Sequence, residues 1–331
     1  ADTAWTKDDS PYVVYSDIEI DSGATLTIEP GTIVKFDNWN YLDIYGKLIV
    51  NGTASDKVYF TSLYNDDDLV GGDTDLDGGE YLPERNKWGG FEVYEGGNYK
   101  INNAEISYAD YILFSLSGTG SFDGVNVFDC NSGIFLEESS INIADSTFTG
   151  ISKDFVEAYS TSTVSFKSSS LKNIGENAFN IIFGSTLTFL NSSLENINGN
   201  QVFEIFNDSS ANIDGFSIKG FDGNYVLELF NNSSVNIKNS TIEDPFVRDV
   251  FEIFNNSSAD IDGLSIKGFD GNYVLELFNN SSVNIINSTI EDSFVYDAFA
   301  VFGNSHLTFA SSTLKNTFGG PAITFFDGWN Q

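Results

Sequence analysis

Residues 203–250 and 251–298 are one 48-residue unit written twice, and they differ at only seven positions, the first being Asp208 against Asn256. Each unit holds a weaker repeat of 24, in which Phe203-Glu204-Ile205-Phe206 is answered by Leu227-Glu228-Leu229-Phe230. Few folds accept such a period. A compact domain needs distinct elements that close on one another, whereas a fixed repeat of this size stacks coils that each bury an apolar face against the next.

Extending the period sets the rest of the chain in columns. Coils begin at 91, 112, 133, 156, 179, 203, 227, 251, 275, 299 and 323, with spacings that grow from 21 to 24 residues. Ile101, Phe122, Ile143, Phe166, Phe189 and Ile213 open one apolar column, which runs on to Phe309; Ile106, Val127, Phe148, Leu171 and Leu194 open another, which runs on to Leu314. The short alternating runs, broken by Gly, Asn and Ser, are strands with turns between them and leave no room for helices. The expected fold is all-β, a parallel β-helix or solenoid of 21–24-residue coils with one acidic loop inserted. Parallel crossovers make it right-handed.

The N-terminal part repeats the pattern less strictly, as in Leu26-Thr27-Ile28-Glu29-Pro30-Gly31-Thr32 and, later, Lys87-Trp88-Gly89-Gly90. These strings resemble the opening coils of secreted bacterial right-handed parallel β-helix proteins, the pectin-lyase-like group. The resemblance covers roughly the first 90 residues by motif and the remainder by architecture. It implies the fold and leaves activity open, because the group includes lyases, hydrolases, adhesins and cell-surface proteins. Three segments are expected: 1–62 as cap and first coils, 63–90 as an acidic Gly-rich insertion, and 91–331 as regular coils of the same solenoid. The chain stops at Gln331, one strand into a new coil and without an evident cap, as a fragment of a longer chain would.

Forty-eight acidic residues against 15 basic ones give a net charge of −33. Such a surface repels nucleic acid and anionic membranes and favours divalent cations and neutral or cationic polymers. No apolar run is long enough to cross a bilayer, so no membrane insertion is expected of this segment. Cys130 is the only cysteine, forms no internal disulfide, and is expected to be a small buried hydrophobe. The opening Ala1-Asp2-Thr3, with no initiator Met, fits a trimmed, exported chain.

The insertion carries the strongest chemical motif. Asp73, Asp75, Asp77, Gly79 and Glu84 fall on the calcium-loop spacing D-x-D-x-D-G-x5-E, which offers three carboxylates, a backbone carbonyl and a terminal Glu to a hard cation. No helices flank it, Pro83 precedes the last ligand, and Glu80 takes a place that is usually apolar. The expectation is therefore a structural Ca2+ that orders residues 63–90, in place of an EF-hand domain.

Other ranks face outward. Lys172, Glu195, Lys219, Glu243, Lys267, Glu291 and Lys315 alternate in sign and are expected to form a solvated ladder. Glu204, Glu228, Glu252 and Glu276 stack like charges, which are expected to splay into water, with cation bridging as the alternative. Phe206, Phe230, Phe254, Phe278, Phe302 and Phe326 lie two places further on. Strict alternation puts them outside and a corner would turn them in; an internal ladder is the expectation taken here. Turns such as Asn255-Asn256-Ser257-Ser258 suit an asparagine ladder and also match the glycosylation acceptor pattern.

Catalysis finds little support in this pattern. The chain has two arginines, Arg85 and Arg248, and Arg248 is replaced by Tyr296 in the second copy; His306 is its only histidine. No acid pair or basic cluster stands out on the coils. The function expected is non-catalytic: a secreted or cell-surface β-helix rod that acts as adhesin or spacer or binds polysaccharide, with calcium holding its loop. Trp39, Tyr41 and Tyr45 are the candidate ligand aromatics. The alternative is a polysaccharide lyase or glycoside hydrolase acting on acidic polysaccharide from the insertion.

Overall fold

The structure, a computed structural model, describes residues 1–326; the expectation made at Gln331 lies outside them. The chain forms two compact units, 1–155 and 156–331. Each is a parallel β-solenoid in which every full coil gives one strand to each of three sheets. Among the described residues the only helical elements are two 3-10 turns, Lys7–Asp9 and Asp68–Val70.

In the first unit the first sheet stacks strands such as Thr25–Ile28, Lys47–Asn51 and Asn98–Asn102; the second stacks Ile33–Phe36, Val58–Ser62 and Ala104–Ser107; the third stacks Tyr41–Ile44, Gly90–Val93 and Tyr111–Leu116. The apolar columns hold their register, with Ile101 beside Phe122 and Phe122 beside Ile143. One correction concerns the coil starts at 112 and 133. Phe91 pairs with Leu113, and Leu113 with Ile134, because Ile112 and Leu113 are both buried and the alternation slips by one there. Trp88 ends the insertion inside the core, stacked on Phe36 at 4.2 Å, and its indole N–H donates to Ser107 O (2.8 Å). Gly90 follows at φ +115°, where a Cβ would collide with the carbonyl of Tyr111, so no other residue fits. Cys130 is fully buried as expected, and burial pushes its thiol up to about 12.

In the second unit, corners and core follow the 24-residue repeat. Asn231, Asn255 and Asn279 adopt φ of 52°, 53° and 52°, and each amide donates to the Asn one coil below, at 2.8, 2.9 and 2.9 Å. Beside them runs a buried serine ladder: the N–H of Ser233 donates to Ser257 Oγ (3.2 Å), and that of Ser257 to Ser281 Oγ (3.2 Å). The Asn-Asn-Ser-Ser turns thus satisfy backbone groups that a tight corner would otherwise bury unpaired. In the alternating-charge rank Lys172 meets Glu195 at 3.0 Å, and Glu291 meets both Lys267 (3.8 Å) and Lys315 (3.6 Å).

The phenylalanine column is not in the core. Ile205, Leu229 and Ile253 fill the interior, and strict alternation leaves Phe206, Phe230 and Phe254 on the outer side, half-buried. Their rings stack one coil apart at 4.7 and 4.5 Å, and continue to Phe278 and Phe302 at 4.4 and 4.3 Å. Each such pair contributes about 0.5–1.5 kcal/mol beyond area burial. The side chain of Phe326 lies outside what is described.

The strands of the third sheet lengthen along this unit, from Phe179–Ile182 through Gln201–Phe206 to Asp222–Phe230, Phe246–Ile253 and Asp270–Leu277. The extra residues break the alternation. Val250 and Phe251 are adjacent and both buried, as are Val274 and Leu275. In a regular strand residues i and i+3 face opposite ways; with two inward residues between them, Asp249 and Glu252 share the outer side.

Candidate functional site

The insertion covers the outer face of the second sheet in the first unit. Lys35 alternates with the core residues Val34 and Phe36, so it points outward, yet it is fully buried beneath the insertion. Its ammonium donates to the carbonyls of Asn65 (2.7 Å) and Gly72 (2.6 Å). Burial lowers the Lys35 pKa, and the neighbouring Asp66, Asp75 and Asp73 oppose that shift. Asn65 also reaches Thr61 Oγ1 (2.9 Å), which meets Ser107 Oγ (2.9 Å).

Of the five residues expected to hold calcium, the fold gathers two. Asp73 and Asp75 join Asp66, each with a carboxylate oxygen within 4.8 Å of the others. Asp77 instead caps the next turn, accepting from the N–H groups of Gly79 (2.6 Å), Glu80 (3.2 Å) and Tyr81 (2.8 Å). Gly79 therefore belongs to that turn, and Glu84 lies 3.6 Å from Lys87 Nζ. The three gathered carboxylates are the hard oxygen donors a Ca2+ takes, which needs six to eight oxygens in all. Lys35 already places one positive charge beside them. Arg85, at the end of the insertion, bonds Asp129 (2.8 Å) and Ser152 (2.9 Å).

Trp39 is exposed on the turn between Ile33–Phe36 and Tyr41–Ile44, and its backbone N–H donates to Lys87 O (3.1 Å) near the end of the insertion. Tyr41 and Tyr45 bracket Asp43 on the outer side of the third sheet. The ring of Tyr41 lies over Gly89, where any Cβ would strike it. Tyr45 stacks on Tyr94 at 4.4 Å, and the Tyr94 hydroxyl bonds Glu92 (2.5 Å). Asp43 sits in register between Glu19 and Glu92. Burial, then the charges of Glu92, Asp17 and Glu19, push its carboxyl up to about 6. Two of the three expected aromatics thus flank an acid that sequence reading did not single out.

The densest cluster lies on the third sheet of the second unit. Asp249 is fully buried and accepts Arg248 Nε (2.8 Å) and the N–H of Tyr273 (3.1 Å). The Arg248 guanidinium also reaches Glu252 (3.0 Å) and Glu276 (3.7 Å), and lies 4.8 Å from the centre of the Tyr225 ring. Gln201 bonds Glu228 in the adjoining coils. Glu252 and Glu276 are only 6% and 8% exposed, so the glutamate rank does not splay into water as expected. Carboxylate oxygens of Asp249, Glu252 and Glu276 lie within 4.8 Å of one another. Burial first, then the charges of Asp249 and Glu252, push Glu276 up to about 7, against the pull of Arg248. Burial alone would lower the Arg248 pKa; the hydrogen bond and charge of Asp249 raise it. Such an arrangement can hold a shared proton and offer hydrogen-bond acceptors beside aromatic faces. Sequence reading took the Glu rank and Arg248 separately and missed Asp249. The signal was the adjacent apolar pair Val250-Phe251, which marks the break in alternation.

No protein-family profile matches the chain, and no curated protein matches its sequence. Solved structures do match in fold. The catalytic domain of a GH87 alpha-1,3-glucanase in complex with nigerose is 11% identical with a TM-score of 0.56, over 92% of this chain and 64% of that one. PfbA, a surface adhesin of Streptococcus pneumoniae, is 11% identical with a TM-score of 0.51, over 97% of this chain and 93% of the adhesin chain. The chain thus spans less than two thirds of the glucanase domain. These likenesses identify the fold as the right-handed parallel β-helix.

Proposed function

We propose that this chain is a non-catalytic, polysaccharide-binding β-helix module of a secreted or cell-surface protein. One observation carries the reading. On the third sheet of each unit, carboxylates are held half-buried or buried among tyrosines: Asp43 and Glu92 with Tyr45 and Tyr94 in the first, Asp249, Glu252 and Glu276 with Tyr225 and Tyr273 in the second. Rings that present a face to the apolar side of a sugar, beside oxygens that accept its hydroxyls, are the usual make-up of a carbohydrate surface. The net charge of −33 favours neutral or cationic glycans. Among the described residues, no helix is long and apolar enough to cross a membrane. A Ca2+ at Asp66, Asp73 and Asp75 would order the insertion in this reading.

Calorimetric titration with neutral, amino-sugar and uronate oligosaccharides tests it. Saturable binding of a neutral or amino-sugar chain is expected, weakened about tenfold by Tyr94→Ala. Absence of binding to every class contradicts it.

A hydrolase is the second reading, favoured by Glu276, whose carboxyl near pH 7 lies beside two other acids as a general acid would. Against it, Arg248 engages all three carboxylates. Release of reducing ends that disappears in Glu276→Gln would establish hydrolysis. A lyase is supported less, because Arg248, held charged by its acids, has no capacity as a base.

A further inference from the structure

The two copies of the 48-residue unit carry the same aspartate in two different states. In the first copy both oxygens of Asp249 are satisfied from within, Oδ2 by Arg248 and Oδ1 by the N–H of Tyr273 one coil on. Asp297 holds the equivalent position in the second copy and is 3% exposed. Neither of those donors is present there. Tyr296 stands where Arg248 stood. The residue one coil on from Asp297 is Pro321, as the pairing of Phe299 with Ile323 and the bond from Ala298 N–H to Pro321 O (3.2 Å) fix. Proline has no N–H to give. Oδ2 of Asp297 accepts from Thr324 (2.9 Å), while Oδ1 is buried and has no partner among the described residues.

A buried carboxylate oxygen left without a donor is costly. Asp297 lines a pocket of about 620 Å³, whose wall also includes Phe294, Tyr296, Gly320, Pro321 and Thr324. That size is typical of small-ligand sites. Gly320 packs against this edge of the aspartate, since a Cβ there would come within 1.7 Å of Tyr296 O and 2.5 Å of Asp297 Oδ1. Phe294 and Tyr296 are 61% and 69% exposed, two aromatic faces beside the acceptor.

We infer that Asp297, Tyr296 and Phe294 form a pyranose-binding subsite, opened in the second copy by the change of Arg248 to Tyr296 and by Pro321. The inference rests on the glycan-binding reading and deepens it by assigning one subsite. A ring hydroxyl or amine donates to Asp297 Oδ1, and the apolar face of the sugar covers Tyr296 or Phe294. In the first copy only the equivalent aspartate is closed, its oxygens taken by Arg248 and the Tyr273 N–H, which leaves Glu252 and Glu276 as the acceptors on that face. A neutral hexose and an amino sugar share this chemistry; an acidic sugar would bring a second negative charge to Asp297.

The test is calorimetric titration of the whole chain with cellotetraose, a glucosamine tetramer and tetragalacturonate. Tyr296→Arg rebuilds the closed aspartate, and is expected to weaken binding of the neutral or amino tetramer at least ~10-fold without lowering the melting temperature. Asp297→Asn is expected to weaken the glucosamine tetramer more than cellotetraose. Pro321→Ala restores an N–H that competes for Oδ1, and is expected to weaken binding several-fold. Wild-type affinity in all three variants overturns this subsite while leaving glycan binding elsewhere intact. Tightest binding of tetragalacturonate also overturns it. No binding of any tetramer by the unaltered chain overturns the glycan-binding reading itself.

Discussion

Glu276 shows how a single side chain links the coil repeat to chemistry. Its carboxyl titrates at about 7, against an ordinary 4.5, because it is buried beside Asp249 and Glu252. An acid with a raised folded pKa holds a proton that the unfolded chain has released. Its stabilising contribution is therefore complete below about pH 4.5 and is lost as the pH rises through 7. Urea midpoints measured from pH 4.5 to 8 should fall with rising pH in the parent chain, and the fall should be shallower in Glu276→Gln. Asp43, pushed up to about 6, leaves a residual slope. An unchanged profile in the variant would contradict the burial argument. Some residues were legible from sequence alone: Cys130 as a buried hydrophobe, Asn231 and Asn255 as ladder residues. The glutamate rank was misjudged because spacing places Glu252 on an outer face without revealing that Asp249 and Arg248 converge on it. Lys35 was invisible for a related reason. A lysine between Val34 and Phe36 is an ordinary outward residue until an insertion folds over it.

The insertion is the element with the most to test. Its acidic motif predicted an oxygen-ligand site, and the structure gathers Asp73 and Asp75 with Asp66 while using Asp77 as a turn cap. Lys35 fastens its base to the solenoid through the carbonyls of Asn65 and Gly72. Lys35→Met leaves the buried Asn65 carbonyl without a donor and the Gly72 carbonyl with Thr74 Oγ1 alone (3.1 Å), and is expected to cost about 1–3 kcal/mol. Hydrogen exchange at residues 65–72 should accelerate in that variant. Calcium should slow exchange across 63–90 in the parent chain, and a chelator should reverse the effect. Exchange that responds to neither change would refute the account of how this element is held. The phenylalanine column shows the limit of pattern reading at this scale. Alternation alone placed Phe230 outside correctly, and a corner was invoked to bring it in; the chain turns one residue later, at Asn231.

For the molecule as a whole, the period was decisive for fold and nearly silent on activity. Each coil repeats the same test of register, so Ile213, Ile237 and Ile261 align without ambiguity. A site needs the opposite, a local departure from the repeat. Two departures matter: the exchange of Arg248 for Tyr296, and Pro321 above Asp297. The faithful copying of the 48-residue unit is what makes those exceptions readable once the coils are stacked. The central claim is that the tyrosine–carboxylate faces of the third sheet bind glycan. Hydrogen exchange of the whole chain with and without a saturating neutral or amino-sugar oligosaccharide tests it most directly. Protection is predicted in Tyr41–Ile44 and Gly90–Val93, or in Phe246–Ile253, Asp270–Leu277 and Phe294–Phe302. Protection confined to the first or second sheet, or none at saturation, would contradict it.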